Sequence, residues 1–260
     1  MMNGSQIISC SGSLTSRTRT YPHNLLSTSI VLVAPVLTAI AKFTKINMQH
    51  VIIPEAPREI ESADCIYPPE YEGHFTRLLI KREEIIERAT DLAKAIHKDY
   101  KGKRPVLLCV LKGANTFYLH LLEALQDLRQ GFYTEFLRLS SYEGTETSGT
   151  VTVGGGLNYN DITGKDVLIV EDIVDTGTTL FHLLSILEKE AKPKSVEVCA
   201  LLKKRLSTPA KCEAKYVGFS IPNHFVVGYG LDYNELYRDL KDIWVISQQG
   251  IDFDPKELHA

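Results

Sequence analysis

Apolar and polar positions change period several times along the chain, and each change marks an element. Over residues 81–100 the apolar side chains Ile85, Ile86, Ala89, Leu92, Ala93 and Ile96 share one face, opposite Lys81, Arg82, Glu87, Arg88 and Lys94. That spacing predicts an amphipathic helix, stopped by Gly102 and Pro105. Residues 106–111 form an unbroken apolar run and read as a buried strand, followed by a helix over 116–128 and a strand over 134–139. The polar, Gly-rich stretch 140–156 reads as a mobile loop or a hairpin. Val167, Leu168, Ile169 and Val170 are four consecutive apolar residues, three of them β-branched, which predicts a strand buried on both faces. A helical repeat follows at Leu180, Leu183, Leu184 and Leu187. Further strands are predicted over 195–202, 216–219, 225–229 and 243–247. The approach from Val51 through Pro54, Pro57, Pro68 and Pro69 reads as irregular chain. Strands alternating with helices give an α/β class, with a mainly parallel twisted sheet flanked by helices.

The stretch after Val170 carries the densest chemistry. Glu171 and Asp172 come at the carboxyl end of the predicted strand, where open α/β sheets place ligands. Asp175, Thr176, Gly177, Thr178 and Thr179 then make a turn rich in backbone amides and hydroxyls that leads into a helix. Such a turn cradles phosphate through its N–H groups and the helix dipole, without needing Lys or Arg. Three carboxylates beside an anion site make sense if they face sugar hydroxyls, a divalent cation or a protonated base. A phosphorylated sugar carrying a magnesium-bound diphosphate meets all of these demands. The plainer reading is an acidic loop capping a helix.

Composition narrows the classes. The 260 residues carry a formal net charge of −3, enough chain for one large domain and a balance that argues against a nucleic-acid or membrane-surface binder. Five cysteines without a C-x-x-C pair suit a reducing compartment such as the cytoplasm, with Cys109 and Cys199 inside apolar runs. Residues 1–50 differ from the rest: no Asp or Glu occurs before Glu55, and the 30–41 apolar run is broken by Pro35. This segment reads as an organellar transit peptide or as a disordered extension, since Met48 could initiate the domain of residues 51–260.

The segment Glu171-Asp172-Ile173-Val174-Asp175-Thr176-Gly177-Thr178-Thr179 resembles the phosphoribosyl-pyrophosphate motif of the type I phosphoribosyltransferases. The flanking blocks are similar to those of hypoxanthine-guanine phosphoribosyltransferases. They are Val110-Leu111-Lys112-Gly113, Arg138-Leu139-Ser140-Ser141-Tyr142, Leu202-Lys203-Lys204-Arg205 and the run from Phe225 through Gly230, Leu231, Asp232 and Tyr233 to Glu235. Five blocks in the family's order span most of the chain.

The resemblance implies a type I fold with a small hood of N- and C-terminal segments. It also implies purine salvage, with transfer of a phosphoribosyl group to hypoxanthine or guanine to give IMP or GMP. Glu171 and Asp172 would hold the ribose hydroxyls, directly or through Mg²⁺. Residues Asp175 to Thr179 would wrap the 5′-phosphate, and Asp175 would be the general acid/base at N7 of the purine. Its alternative role is helix N-cap. Lys112 and Gly113, in a loop with a cis peptide bond, would bind diphosphate together with Arg238. Lys204 would donate to the purine O6, Phe225 would stack, and Val226 would read the opposite edge through its backbone. Asp232 would sit at the purine and a second Mg²⁺, reached through water. Ser141 and Tyr142 would belong to a loop that closes over the site. Two departures are Thr178, where the family often has Lys, and Ala114, where it commonly has Gly. The expected partners are these small molecules and further copies of the chain in a dimer or tetramer. The competing reading is a phosphoribosyl-pyrophosphate-binding regulator that has lost turnover. A magnesium phosphohydrolase would leave the Lys204 and Phe225 blocks without a reason.

Overall fold

The computed structural model describes residues 50–56, 66–141, 151–154, 157–254 and 256, with the backbone alone at 140–141 and 151–154. Residues 1–49 and Tyr142 lie outside this set. In chain order the elements are β1 (Val51–Ile52), β2 (Phe75–Ile80), α1 (Arg82–Asp99), β3 (Val106–Leu111), α2 (Asn115–Asp127), β4 (Tyr133–Ser141) and β5 (Val151–Gly154). They continue with β6 (Asp166–Val174), α3 (Thr178–Ile186), β7 (Ser195–Lys204), β8 (Tyr216–Ile221), β9 (Val226–Val227), β10 (Ile243–Ile246) and α4 (Gln248–Asp252). A π-helical turn, Leu187–Ala191, extends α3.

Seven strands form one sheet in the order β1-β8-β7-β6-β3-β4-β5. Every neighbouring pair is parallel except β4 with β5, so within the stretch expected to be a loop or hairpin, residues 151–154 form a strand antiparallel to β4. The unbroken apolar runs follow from burial on both faces. Leu168 and Val170 of β6 enter one cluster with Ile85, Leu92 and Ile96 of α1 and Phe117 and Leu121 of α2. Val167 and Ile169 enter the other with Leu180 and Leu183 of α3 and Leu187. Each such side chain contributes roughly 1.5–3 kcal/mol by leaving water. Truncating Ile169 to Ala would cost about 2–5 kcal/mol, because the close-packed sheet cannot collapse onto the hole.

Several expectations are corrected. The approach from Val51 to Pro69 is not all irregular, since β1 pairs with β8. Beyond it β2, for which the pattern predicted no element, stands in a second sheet, order β2-β10-β9. This small sheet is the hood, with Tyr71, Leu78, Val227, Tyr237, Leu240, Trp244 and Ile246 as its own core. The strand expected over 225–229 shortens to Val226–Val227, because Gly228, Tyr229 and Gly230 adopt φ of 96°, 56° and 103° and end the extended chain. The central strand does not end before Glu171 but runs on to Val174.

Candidate active site

The chain leaves β3 toward β4 on one side and reaches β7 from β6 on the other, so the topological switch point lies between β3 and β6. Open parallel sheets bind ligands at the carboxyl edge of that point. The loop after β3 brings Lys112 and Gly113 there, through a cis Leu111–Lys112 peptide bond as the resemblance implied. Glu171 and Asp172 arrive from β6. A Cβ placed on Gly113 would lie 1.6 Å from Asp172 Oδ2, so only glycine lets the loop approach this carboxylate. Asp172 Oδ1 accepts from the Ile173 N–H at 2.7 Å, while Glu171 Oε2 is buried without a hydrogen-bond partner among the described residues. Burial, and then the Asp172 charge, raise the Glu171 carboxyl well above the usual range. Burial likewise raises Asp172. Two adjacent buried carboxylates, one with an unpartnered oxygen, call for a cation or for hydroxyl donors.

Gly177 is the N-cap of α3, in a left-handed conformation with φ 71°. A side chain there would strike the backbone of Cys212, whose segment is tied on by a 2.8 Å bond from the Lys211 N–H to the Thr176 carbonyl. The cap position therefore belongs to Gly177 and not to Asp175. The Thr176 hydroxyl donates to Thr178 Oγ1 at 3.1 Å, so the turn's hydroxyls stand together at the helix N-terminus. Thr179 follows within α3.

With capping excluded, the Asp175 carboxylate turns to Lys204, at the end of β7, at 2.8 Å. The Lys204 side chain is only 11% exposed. Its neighbours are pinned elsewhere: Lys203 pairs with Glu213, and Arg205 donates to the Ser220 and Ile53 carbonyls. The Lys204 ammonium also stands 5.7 Å from the centre of the Phe225 ring, which is 49% exposed and edge-on to Tyr233. The Ile246 N–H bonds to the Phe225 carbonyl at 3.2 Å, which makes Val226–Val245 the non-hydrogen-bonded pair of the β9–β10 ladder. The N–H and C=O of Val226 therefore point to the side of β9 that has no neighbouring strand. A buried cation, an exposed ring and an open backbone edge can recognise a planar heterocycle with an oxo group.

At the other end, Arg238 bonds to Asp232 at 2.7 Å and to the Gly230 carbonyl at 2.8 Å. Glu235 bridges Arg238, at 3.5 Å, and Lys112, at 2.7 Å. Hydrogen bonds from Lys112 and Arg238 hold the Glu235 carboxyl below its usual range. Asp232 Oδ2 also accepts from the Glu235 N–H at 2.9 Å. Both expected diphosphate cations are thus engaged by carboxylates of the chain. Glu235 had no role in the sequence reading; an acidic residue three places before Arg238 was the available signal.

Ser141 ends β4 opposite Val151 of β5; Tyr142 and the rest of the expected closing segment, to residue 150, lie outside the described residues. Among the described residues no group of three or more His, Cys, Asp or Glu side chains could hold a metal, so Glu171, Asp172 and Asp232 do not form one cage. Cys109, Cys199 and Cys212 are free and buried, and burial pushes the Cys109 thiol up to about 12, far from a reactive thiolate. No helix among the described residues is long and apolar enough to cross a membrane.

Comparison with known proteins meets this geometry. Residues 79–234 match the phosphoribosyl transferase domain family. Mouse hypoxanthine-guanine phosphoribosyltransferase is 42% identical over 192 residues, which is 72% of this chain and 87% of the mouse protein. The crystal structure of a hypoxanthine phosphoribosyltransferase from Staphylococcus aureus superposes with a TM-score of 0.64 at 36% identity, covering 73% of this chain and 100% of that one. A hypoxanthine phosphoribosyl transferase from Trypanosoma cruzi gives 0.62 at 40% identity, covering 69% and 95%. With these matches, the chain belongs to the hypoxanthine-guanine phosphoribosyltransferase family.

Proposed function

We propose that this protein is a purine-salvage enzyme that transfers the 5-phosphoribosyl group from phosphoribosyl pyrophosphate to hypoxanthine or guanine, giving IMP or GMP and diphosphate. The observation that carries the reading is the Lys204–Asp175 pair, 2.8 Å long, set between an exposed Phe225 and the phosphate turn that starts α3. Lys204 is already desolvated and aimed, so a purine O6 can take over one of its three N–H groups while Asp175 faces the imidazole edge. Adenine would bring an amino group to an ammonium and leave both unpaired.

In the reaction a purine nitrogen bonds to C1′ as the C1′–oxygen bond to diphosphate breaks. Positive charge grows on the ribose, where the Glu171 and Asp172 carboxylates stabilise it. Asp175 accepts or returns the purine proton. The N–H groups of residues 176–179 hold the 5′-phosphate. Lys112, Gly113 and Arg238 take the leaving diphosphate as their carboxylate partners give way. The orphaned Glu171 Oε2 and the hard oxygens of Asp172 and Asp232 fit Mg²⁺, an ion that keeps several waters and takes only one or two carboxylates plus phosphate oxygens. When bound, it neutralises charge on the diphosphate. Ser141, the last residue of β4, and Tyr142 next to it in the sequence would exclude water. Free buried thiols suit a reducing compartment such as the cytoplasm. Exposed Leu119, Tyr133 and Phe136 are surface of the kind a second copy covers in a dimer or tetramer. The test is an assay of the purified protein with hypoxanthine, phosphoribosyl pyrophosphate and Mg²⁺. IMP and diphosphate should appear, and their absence would overturn the reading.

A further inference from the structure

We propose that His120 and Tyr229 are positioning residues for the diphosphate end of the site, locked by Arg82, and that the lock holds only while the His120 imidazole is neutral. The inference rests on the reading of Lys112, Gly113 and Arg238 given above. Tyr229 is 2% exposed and sits between Gly228 and Gly230 in a run of three left-handed residues. A tyrosine does not choose that backbone; surrounding contacts impose it. Its N–H bonds to the Leu240 carbonyl at 2.8 Å, and the Gly230 N–H to the Arg238 carbonyl at 3.1 Å.

The Tyr229 phenol meets His120 Nδ1 of α2 at 2.6 Å, with the two rings stacked at an interplanar angle of 19°. His120 Nε2 meets the Arg82 guanidinium, from the first residue of α1, at 3.2 Å. Guanidinium donates and never accepts, so Nε2 must carry a lone pair. The proton of the neutral ring is therefore on Nδ1 and is donated to the Tyr229 oxygen. Arg82 is itself fixed, because its backbone N–H donates to the buried Asp242 at 2.7 Å. The charged and titratable groups around the imidazole are Arg82 from α1, Tyr229 from the loop, Glu123 one turn along α2 and Asp242 behind Arg82. Burial raises the Tyr229 phenol above its ordinary range, so it stays protonated.

The lock bears on diphosphate through Gly230. Its carbonyl accepts from Arg238 at 2.8 Å, and a Cβ there would lie 2.4 Å from the Gly113 carbonyl. Any shift of Tyr229 moves the references of both Arg238 and Gly113, while the Lys204–Asp175 pair stands on other elements. Protonating Nε2 would set one N–H against another and one positive charge against another. Acid that protonates Nε2 should therefore loosen the lock.

The experiment measures calorimetric binding of inorganic diphosphate with Mg²⁺, and separately the KM for hypoxanthine, in the full chain and in His120→Gln, His120→Phe and Tyr229→Phe. His120→Phe and Tyr229→Phe should weaken diphosphate binding by about tenfold and leave the hypoxanthine KM within about twofold. His120→Gln should bind as the wild type at about pH 8, because an amide can accept from Arg82 and donate to Tyr229. Between about pH 8 and about pH 5.5 the wild type should lose about tenfold relative to His120→Gln, a ratio that cancels the titration of diphosphate itself. Equal binding by Tyr229→Phe and the wild type, or parallel pH dependences of the wild type and His120→Gln, would overturn the inference, whether or not His120→Phe folds. A wild type that binds no diphosphate at any pH would overturn the reading beneath it, and the inference with it.

Discussion

The two ends of the site hold their cations in opposite ways. At the proposed purine end one ammonium, Lys204, is nearly buried and faces one carboxylate, the half-exposed Asp175, at 2.8 Å. At the proposed diphosphate end two cations, Lys112 and Arg238, share Asp232 and Glu235; Lys112 is 48% and Glu235 63% exposed, while Arg238 and Asp232 are 25% and 28% exposed. An ion pair removed from water interacts strongly and punishes the loss of either partner. An exposed pair is screened and worth roughly 0–1 kcal/mol. If Lys204 meets the base as proposed, its end discriminates, because a wrong base leaves a nearly buried ammonium behind. On that reading the exposed Lys112–Glu235 pair is the one a diphosphate displaces at little cost, while the Arg238–Asp232 pair, 25% and 28% exposed, is held more firmly.

The comparison breaks most visibly at Asp175. Asp175→Asn keeps the size and an oxygen that can still accept from Lys204, but loses the proton acceptor. Turnover should fall by roughly 10²–10⁴ while phosphoribosyl-pyrophosphate binding changes far less. Steady-state kinetics beside direct binding separates the two. Near-normal turnover would remove Asp175 from acid/base chemistry and leave it only as the counter-ion of Lys204.

The next effect lies across the same pair. Lys204→Gln should lower kcat/KM for hypoxanthine and guanine by about 10- to 100-fold, since a buried donor of this kind is worth roughly 1–3 kcal/mol. Adenine should start at least two orders of magnitude behind in the wild type, and the variant should narrow that gap, because an amide can offer either an oxygen or an N–H. An unchanged ratio among the three bases would place specificity elsewhere, with Val226 the next residue to examine.

How much of this was legible in the sequence follows the same divide. β6 and its turn could be read directly, because a strand buried on both faces is continuously apolar and the carboxylates and the Gly-containing turn follow without interruption. β2 escaped because its sequence, Phe-Thr-Arg-Leu-Leu-Ile, does not alternate: Leu78 enters the hood core, whereas Leu79 and Ile80 enter the main one, and its register with β10 is broken twice. β1 is two residues long, too short for any period to appear. The roles of Lys204, Phe225 and Asp232 could be named only through resemblance, since their spacing alone fits a basic turn, a core strand and a solvated acid. The Glu235–Lys112 link could not be read, because Lys112 lies 123 residues away; the spacing of Glu235 three residues before Arg238 hinted only at the other half of the bridge.

The smallest effect tests the exposed end. If Glu235 stands where diphosphate must come, removing its charge removes a competitor. Glu235→Gln should therefore bind diphosphate with Mg²⁺ about two- to fivefold more tightly than the wild type, the range expected from releasing an exposed pair. The gain should shrink as salt rises toward about 1 M, where the Debye length falls to roughly 3 Å. Any lost carboxylate near an anion site would help a little through the general field, so Asp239→Asn, a charge next to Arg238, serves as the control. Only a gain larger at Glu235 than at Asp239 supports direct displacement. Weaker binding by Glu235→Gln would mean the opposite: that the bridge from Lys112 to Arg238 holds the two cations at the spacing diphosphate needs, and that this end too is built as a rigid frame.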